Sequence, residues 1–239
     1  MRTLLLLLFA IGATTLSQAQ ENRSAGYGIE LLPHLSNRRL IAFDLSSQME
    51  IDSIQDNEYG LPSYSAGIFM NYRGEKIGIR FGLNYMELGY RGKRAPIPFN
   101  DPFASQFSEI EYTFKTQQIE APVAVLFYQQ LSEKNEFYFL LGTGISYNLS
   151  NKDIHTRYEN EIKKTTTTDA PQDFRPLNFS LQTAMGWEHH FNKNFTIDIA
   201  PIFKLWMSGL YKAEILNRNL YQIGLRVGIR FDQEIIYVD

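Results

Sequence analysis

Tyr221-Gln222-Ile223-Gly224-Leu225-Arg226-Val227-Gly228-Ile229-Arg230-Phe231 sorts by parity into two faces. Its odd positions are bulky and apolar or aromatic, and its even positions are Gln, Gly and Arg. Successive side chains of a strand point to opposite faces, so this stretch reads as a β-strand with one apolar and one polar side. The pattern recurs upstream. Phe137, Phe139, Leu141, Ile145, Tyr147 and Leu149 alternate with Gly142, Gly144, Ser146 and Asn148 over residues 137–149. Residues 177–189 set Leu177, Phe179, Leu181, Met185 and Trp187 against Asn178, Ser180, Gln182, Gly186 and Glu188. Residues 77–85 set Ile77, Ile79, Phe81, Leu83 and Tyr85 against Gly78, Arg80, Gly82 and Asn84. Segments 64–72, 119–127 and 195–207 alternate less regularly, and 26–35 is the weakest. The pattern predicts about eight strands and no sustained helical period.

The connections differ in length. Residues 73–76, 132–135 and 192–194 are tight polar turns, whereas 36–62, 91–110 and 150–175 are long and polar, with a shorter link near 211–218. Short and long links alternate, which places every short one at the same end of the sheet. Transmembrane barrels have this layout, with short periplasmic turns and long external loops. Both termini are then expected on the periplasmic side and residues 150–175 outside. The run Thr165 to Thr168, after Lys163-Lys164, reads as a solvated loop tip.

Composition excludes several alternatives. The chain has 23 Lys+Arg against 26 Asp+Glu, so it lacks the positive excess expected of a nucleic-acid binder. It has no cysteine, which removes disulfides, thiolate metal sites and a lipidated N-terminal Cys. The 17 Phe and 14 Tyr suit an ordered β protein. At the N-terminus, Arg2, the apolar run Leu4 to Ala13 and Ser17-Gln18-Ala19 have the form of a signal peptide, residues 1–19. That run is roughly half the ~20 residues of a spanning helix. The division expected is thus a signal peptide, a barrel over 20–231 and a periplasmic tail over 232–239.

Volume decides which face is inside. An eight-stranded barrel encloses just enough room for its inward side chains. The bulky faces cannot all fit there, whereas the opposite faces are rich in Gly, Ser, Ala and Asn. Turned outward, the bulky face covers a hydrocarbon band, and Tyr64, Tyr72, Tyr85, Tyr147, Trp187 and Tyr221 fall near strand ends as interfacial aromatics. Parity then sends Arg80, Glu120, Glu188, Asp198, Lys204, Arg226 and Arg230 into the lumen, where opposite charges are expected to pair. Pro122 and Pro201 lack a ladder donor, and each is expected to mark a bulge or local distortion; a bulge at Pro201 would flip the parity of Lys204 and Trp206.

The stretch Gln118-Ile119-Glu120-Ala121-Pro122-Val123 resembles the PorT-like outer-membrane β-barrel family of Bacteroidota, whose fourth strand carries a Glu-x-Pro signature. The likeness extends over residues 64–231; residues 26–35 depart from the family's Gly-rich first strand. It implies an eight-stranded antiparallel up-and-down transmembrane β-barrel in the outer membrane. It assigns no activity, although a minority of the family resembles parts of the gliding-associated secretion machinery.

Candidate chemistry is sparse. His34-Leu35-Ser36 has the His-x-Ser spacing of lipid A deacylases, and a His near a Ser can act as general base, but no carboxylate is evident to orient it. His189 and His190 are adjacent, so on a strand they point to opposite faces. No phosphate loop, zinc spacing or calcium loop appears, and no cofactor is expected. The long loops carry Asp44, Glu50, Asp52, Asp56 and Glu58 in one, and Arg91, Lys93, Arg94, Lys115, Phe99 and Phe103 in another. The tail segment Ile235-Ile236-Tyr237-Val238 has the β propensity to pair with a partner's sheet edge. The function expected is non-enzymatic. The chain would be a scaffold or accessory subunit meeting outer-membrane lipids and other outer-membrane or periplasmic proteins. A small transport channel and a lipid A-modifying enzyme using His34 and Ser36 are the alternatives.

Overall fold

The computed structural model describes residues 24–42, 48–212 and 216–234. The expected signal peptide, Asp44 and the segment Ile235 to Val238 lie outside them. Eight long strands form the wall: β1 Ser24–Ala42, β2 Glu58–Arg73, β3 Ile77–Gly92, β5 Glu109–Gln130, β6 Asn135–Glu159, β8 Leu177–Asn192, β9 Phe195–Trp206 and β10 Leu216–Glu234. Each pairs antiparallel with the next, and β1 pairs with β10, so the sheet closes into a barrel. Closure satisfies every wall strand on both edges, as a structure in lipid requires.

Parity sorts the wall as expected. On β10, Ile223 is 57% exposed while Gln222 and Arg226 are 0% and 3% exposed. The outward apolar surface runs right around, through Ile29, Ile68, Phe81, Val123, Leu141, Leu181 and Phe203. A soluble monomer's largest apolar patch is about 300–600 Å². A continuous belt of this kind is a lipid-facing wall.

The long links hold more structure than alternation revealed. The expected loop 36–62 contains the end of β1, the start of β2 and helix α1, Gln48–Asn57. The expected loop 91–110 contains β4, Ala95–Pro96, paired with the start of β5. In the expected loop 150–175, β6 continues to Glu159 and returns as β7, Ile162–Asp169, through Asn160 at positive φ. These strands run past the hydrocarbon band, where both faces meet water and the apolar signal fades. At the other end β10 continues through Glu234, which pairs with Ser24, so the strand passes the expected boundary at Phe231.

The prolines mark local distortions of the ladder and not bulges. Around Pro33, Pro122 and Pro201 the ladder lapses for two positions along one edge and resumes in the same register. Neither Pro122 nor Pro201 marks a bulge. A strand residue offers its N–H to one neighbour only, so proline removes pairing on one side and leaves the strand's direction intact. Lys204 and Trp206 therefore keep their inward parity, at 2% and 1% exposure. The register shifts fall elsewhere, at Leu149 of β6, near Phe191 of β8 and between Gly60 and Ser65 of β2.

Candidate functional site: a charged lumen under an aromatic cap

The seven charges expected inside are all buried, and they divide into two groups. In the half of the lumen nearer the short turns, Glu188 on β8 takes both Nη atoms of Arg230 at 2.7 and 2.9 Å. The Arg230 Nε donates to Asp232 at 2.7 Å. Arg80 on β3 donates to Asp198 Oδ2 at 2.9 Å and lies 3.6 Å from Glu188. Tyr138 Oη donates to the same Asp198 oxygen at 3.1 Å and accepts from Arg226. Higher up, Glu120 pairs with Lys204 rather than with an arginine, and accepts a 2.7 Å bond from Ser180. Charge pairing inside a low-dielectric lumen offsets part of the penalty each ion would carry alone.

Glycines make the space for these long side chains. A methyl on Gly144 would sit 2.5 Å from Glu120 Oε1 and 2.8 Å from Ser180 Oγ. One on Gly142 would meet Gln182, and one on Gly228 would meet Asp198. Among the described residues a cavity of about 20 Å³ lies between Glu30, Arg80, Asn84, Lys204 and Arg226. That holds about one water molecule.

The loop end is closed by aromatic packing. Met86, Leu88, Tyr90, Phe114 and Trp206 are at most 1% exposed, and Phe174 from the segment between β7 and β8 stacks on Phe114 with centroids 5.6 Å apart. Arg38 and Arg218 clamp Glu58 beside this cap, with Arg218 5.4 Å from the Tyr90 ring. At the turn end, Arg73 holds Glu136 and lies 4.0 Å over the Tyr128 ring. Glu136, Glu188 and His190 place their ligating atoms within 4.8 Å of one another. Both carboxylates are already engaged by Arg73 and Arg230, and two guanidiniums at the site oppose a metal cation.

The other candidates separate. His34 and Ser36 both point inward from β1, 6% and 0% exposed. The His34 ring nitrogens face the carbonyl oxygens of Leu32 and Glu87 at 3.0 and 3.2 Å, and Ser36 Oγ accepts from the Gly89 N–H at 2.9 Å. The two side chains thus have separate partners and face away from the lipid side. His189 bonds Asn135 and His190 bonds Thr196 and Glu136, on opposite faces as expected. The aromatics lie in two rings. Tyr64, Tyr85, Tyr147 and Tyr221 stand at the loop end, with Tyr64 and Tyr85 centroids 6.4 Å apart. Tyr72 and Trp187 stand at the turn end, where Tyr27, Phe231, Phe195 and Phe191 continue the belt in centroid steps of 5.9, 5.6 and 5.5 Å.

Sequence reading missed Tyr138, Glu30, Arg73 and Glu136 in the lumen. Parity alone finds Tyr138, which lies between the outward Phe137 and Phe139. Among the loops, Asp101 is bound by Arg157 through Nε at 3.0 Å and Nη2 at 2.7 Å, and Arg157 lies 4.7 Å over Phe103. Those hydrogen bonds hold the Asp101 carboxyl below its ordinary 3.8. A lowered carboxylate stabilises above its ordinary pKa, and the gain disappears as pH falls through the lowered value. Hydrogen-exchange protection of residues 97–107, corrected for intrinsic rates, should persist at about pH 5 and fall once the pH is taken well below the ordinary carboxylate value. Equal protection at both would show that Asp101 does not anchor the loop.

The chain is similar to several solved structures. Neisserial surface protein A is 13% identical, with a TM-score of 0.42 over 88% of this chain and 99% of that one. Ail of Yersinia pestis, solved with the heparin analogue sucrose octasulfate, is 17% identical, with a TM-score of 0.33 over 89% of this chain and 100% of that one. The outer membrane protease OmpT of Escherichia coli is 8% identical, with a TM-score of 0.30 over 89% of this chain and 97% of that one. No ligand or activity passes from these proteins to this chain. No curated protein sequence matches it. The model of the outer membrane protein beta-barrel domain matches residues 17–201, well over half the chain, and with the closed, lipid-faced sheet it makes this chain a member of that outer-membrane family.

Proposed function

We propose that this barrel is a non-enzymatic scaffold, an accessory subunit of a protein complex in the outer membrane, with secretion or assembly machinery as the setting. The observation that carries the reading is the filled lumen. Paired charges fill one half, beside a cavity of about 20 Å³, and an aromatic cap closes the other. Such an interior holds a wall rigid and passes nothing of metabolite size. The remaining working surfaces are the loops, the turn end and the outer wall, which suits contact with partners. The finer PorT-like assignment, export through a cleaved signal peptide and periplasmic termini belong to this same reading.

The test is affinity isolation of the tagged chain from mild-detergent outer membranes, with mass-spectrometric identification of stoichiometric partners. We expect one outer-membrane or periplasmic protein to co-purify. Recovery should fall when residues 235–239 are deleted; that cut spares Glu234 and the Asp232–Arg230 bond. A chain recovered alone under conditions that preserve other complexes would count against the scaffold. Unchanged recovery after the deletion would remove the tail as the contact.

A further inference from the structure

The hairpin of β6 and β7 leaves one sheet edge open. Among the described residues β7 pairs with β6 alone, and seven of its eight residues are exposed. The hairpin closes through the two-residue turn Asn160-Glu161, so Glu159 and Ile162 form its last hydrogen-bonded pair. By alternation, Ile162, Lys164, Thr166 and Thr168 turn their backbone groups toward β6. Lys163, Thr165, Thr167 and Asp169 turn theirs outward, as a template for another strand.

We propose that the occupant of this edge is the β7 strand of a second copy, presented by a facing membrane. Antiparallel self-pairing centred on Thr166 places Lys163 opposite Asp169, Lys164 opposite Thr168 and Thr165 opposite Thr167. This register joins outward residues to outward residues throughout, as hydrogen bonding requires, and it spans the strand from Lys163 to Asp169. It yields about eight backbone hydrogen bonds and two Lys–Asp cross-strand pairs. Lysines on an open edge discourage pairing with arbitrary strands. Here the partner's own Asp169 answers Lys163, so the edge that repels others accepts its copy.

The sense of pairing fixes the arrangement. A strand edge pairs antiparallel with itself only about a two-fold axis perpendicular to the sheet. The normal to a barrel wall lies in the membrane plane, so this axis inverts one barrel relative to the other. Two copies in one membrane cannot meet this way; copies in facing membranes can. His155, opposite Thr166, is eight residues beyond Tyr147 of the loop-end aromatic ring. At strand rise and barrel tilt that is about 20 Å above the ring, clear of lipid. Each contact is small and therefore weak. Many copies across two apposed surfaces multiply it.

The full-length barrel is reconstituted at high density in phosphatidylcholine vesicles, with loop-outward orientation checked by protease shaving and folding by circular dichroism. Vesicle clustering, read by light scattering and electron cryomicroscopy, is the assay. Wild-type vesicles should cluster. The double substitution Thr165→Pro/Thr167→Pro removes two outward N–H groups and leaves the backbone bonds to β6 in place, losing only the hydroxyl contact of Thr165 with Thr156, and should lower clustering at least about tenfold. Lys163→Glu should do the same, and Lys163→Glu/Asp169→Lys should restore it. Dispersed wild-type vesicles, full clustering by the proline variant, or failure of the charge swap to restore it would each overturn the proposal. So would β7–β7 cross-links formed between copies confined to one nanodisc.

Discussion

In planar bilayers the purified barrel should produce no reproducible large conductance steps, and vesicles carrying it should not swell in small sugars. The expectation follows from what occupies the lumen. Wide aqueous channels belong to barrels of about sixteen strands, whereas eight leave room only for inward side chains. Here those side chains include Arg80, Arg226, Arg230 and Lys204, each within 5% exposure and each bonded across the interior. Above them the rings of Tyr90, Phe114 and Phe174 stack, with centroids 5.2 and 5.6 Å apart. A permeating sugar would have to displace both layers. Stable conductance steps or swelling would overturn the plugged lumen, and with it the preference for a scaffold over a channel.

The wall was legible in the sequence because lipid and lumen impose opposite chemistries on alternate residues. Tyr221 to Phe231 carries that contrast without exception, and so the strand, its faces and the inward path of Arg226 and Arg230 could all be read from it. Beyond the hydrocarbon band the contrast vanishes. Ile162 to Asp169 is a strand with both faces in water, and its Lys-Lys-Thr-Thr-Thr-Thr core shows no alternation to read. Prolines misled in the other direction. The missing donor of Pro201 suggested a bulge, but each strand residue serves one neighbour, so the register survives.

Pairing across the lumen was less legible than position. Parity placed Glu120 inside, yet its partner depends on barrel tilt and stagger, which set which residues face each other across the interior. The structure gives Arg80 to Asp198 and Lys204 to Glu120. The family-like stretch Glu120-Ala121-Pro122 thereby gains a physical role: it carries the carboxylate that neutralises the one buried lysine among the described residues.

That pair should dominate stability. Lys204→Met leaves Glu120, at 0% exposure, with Ser180 as its remaining hydrogen-bond donor. Stranding a buried charge costs about 3–5 kcal/mol, because the surviving ion has lost its partner and cannot reach water. The carboxylate has little room to move, since the wall beside it at Gly144 would hold a methyl only 2.5 Å from Glu120 Oε1. Neutralising both members is a different perturbation. Lys204→Met/Glu120→Gln removes attraction and desolvation together and keeps an amide oxygen for Ser180, so it should be less destabilising than Lys204→Met alone. Equilibrium urea unfolding in lipid vesicles, with the slope checked for constancy, measures both differences. A double variant as unstable as a strongly destabilised single would mean that the loss comes from packing and not from the stranded charge. A Lys204→Met loss under about 1 kcal/mol would mean that the lumen hydrates Glu120 once its partner is gone. The interior would then be a yielding plug instead of a rigid one.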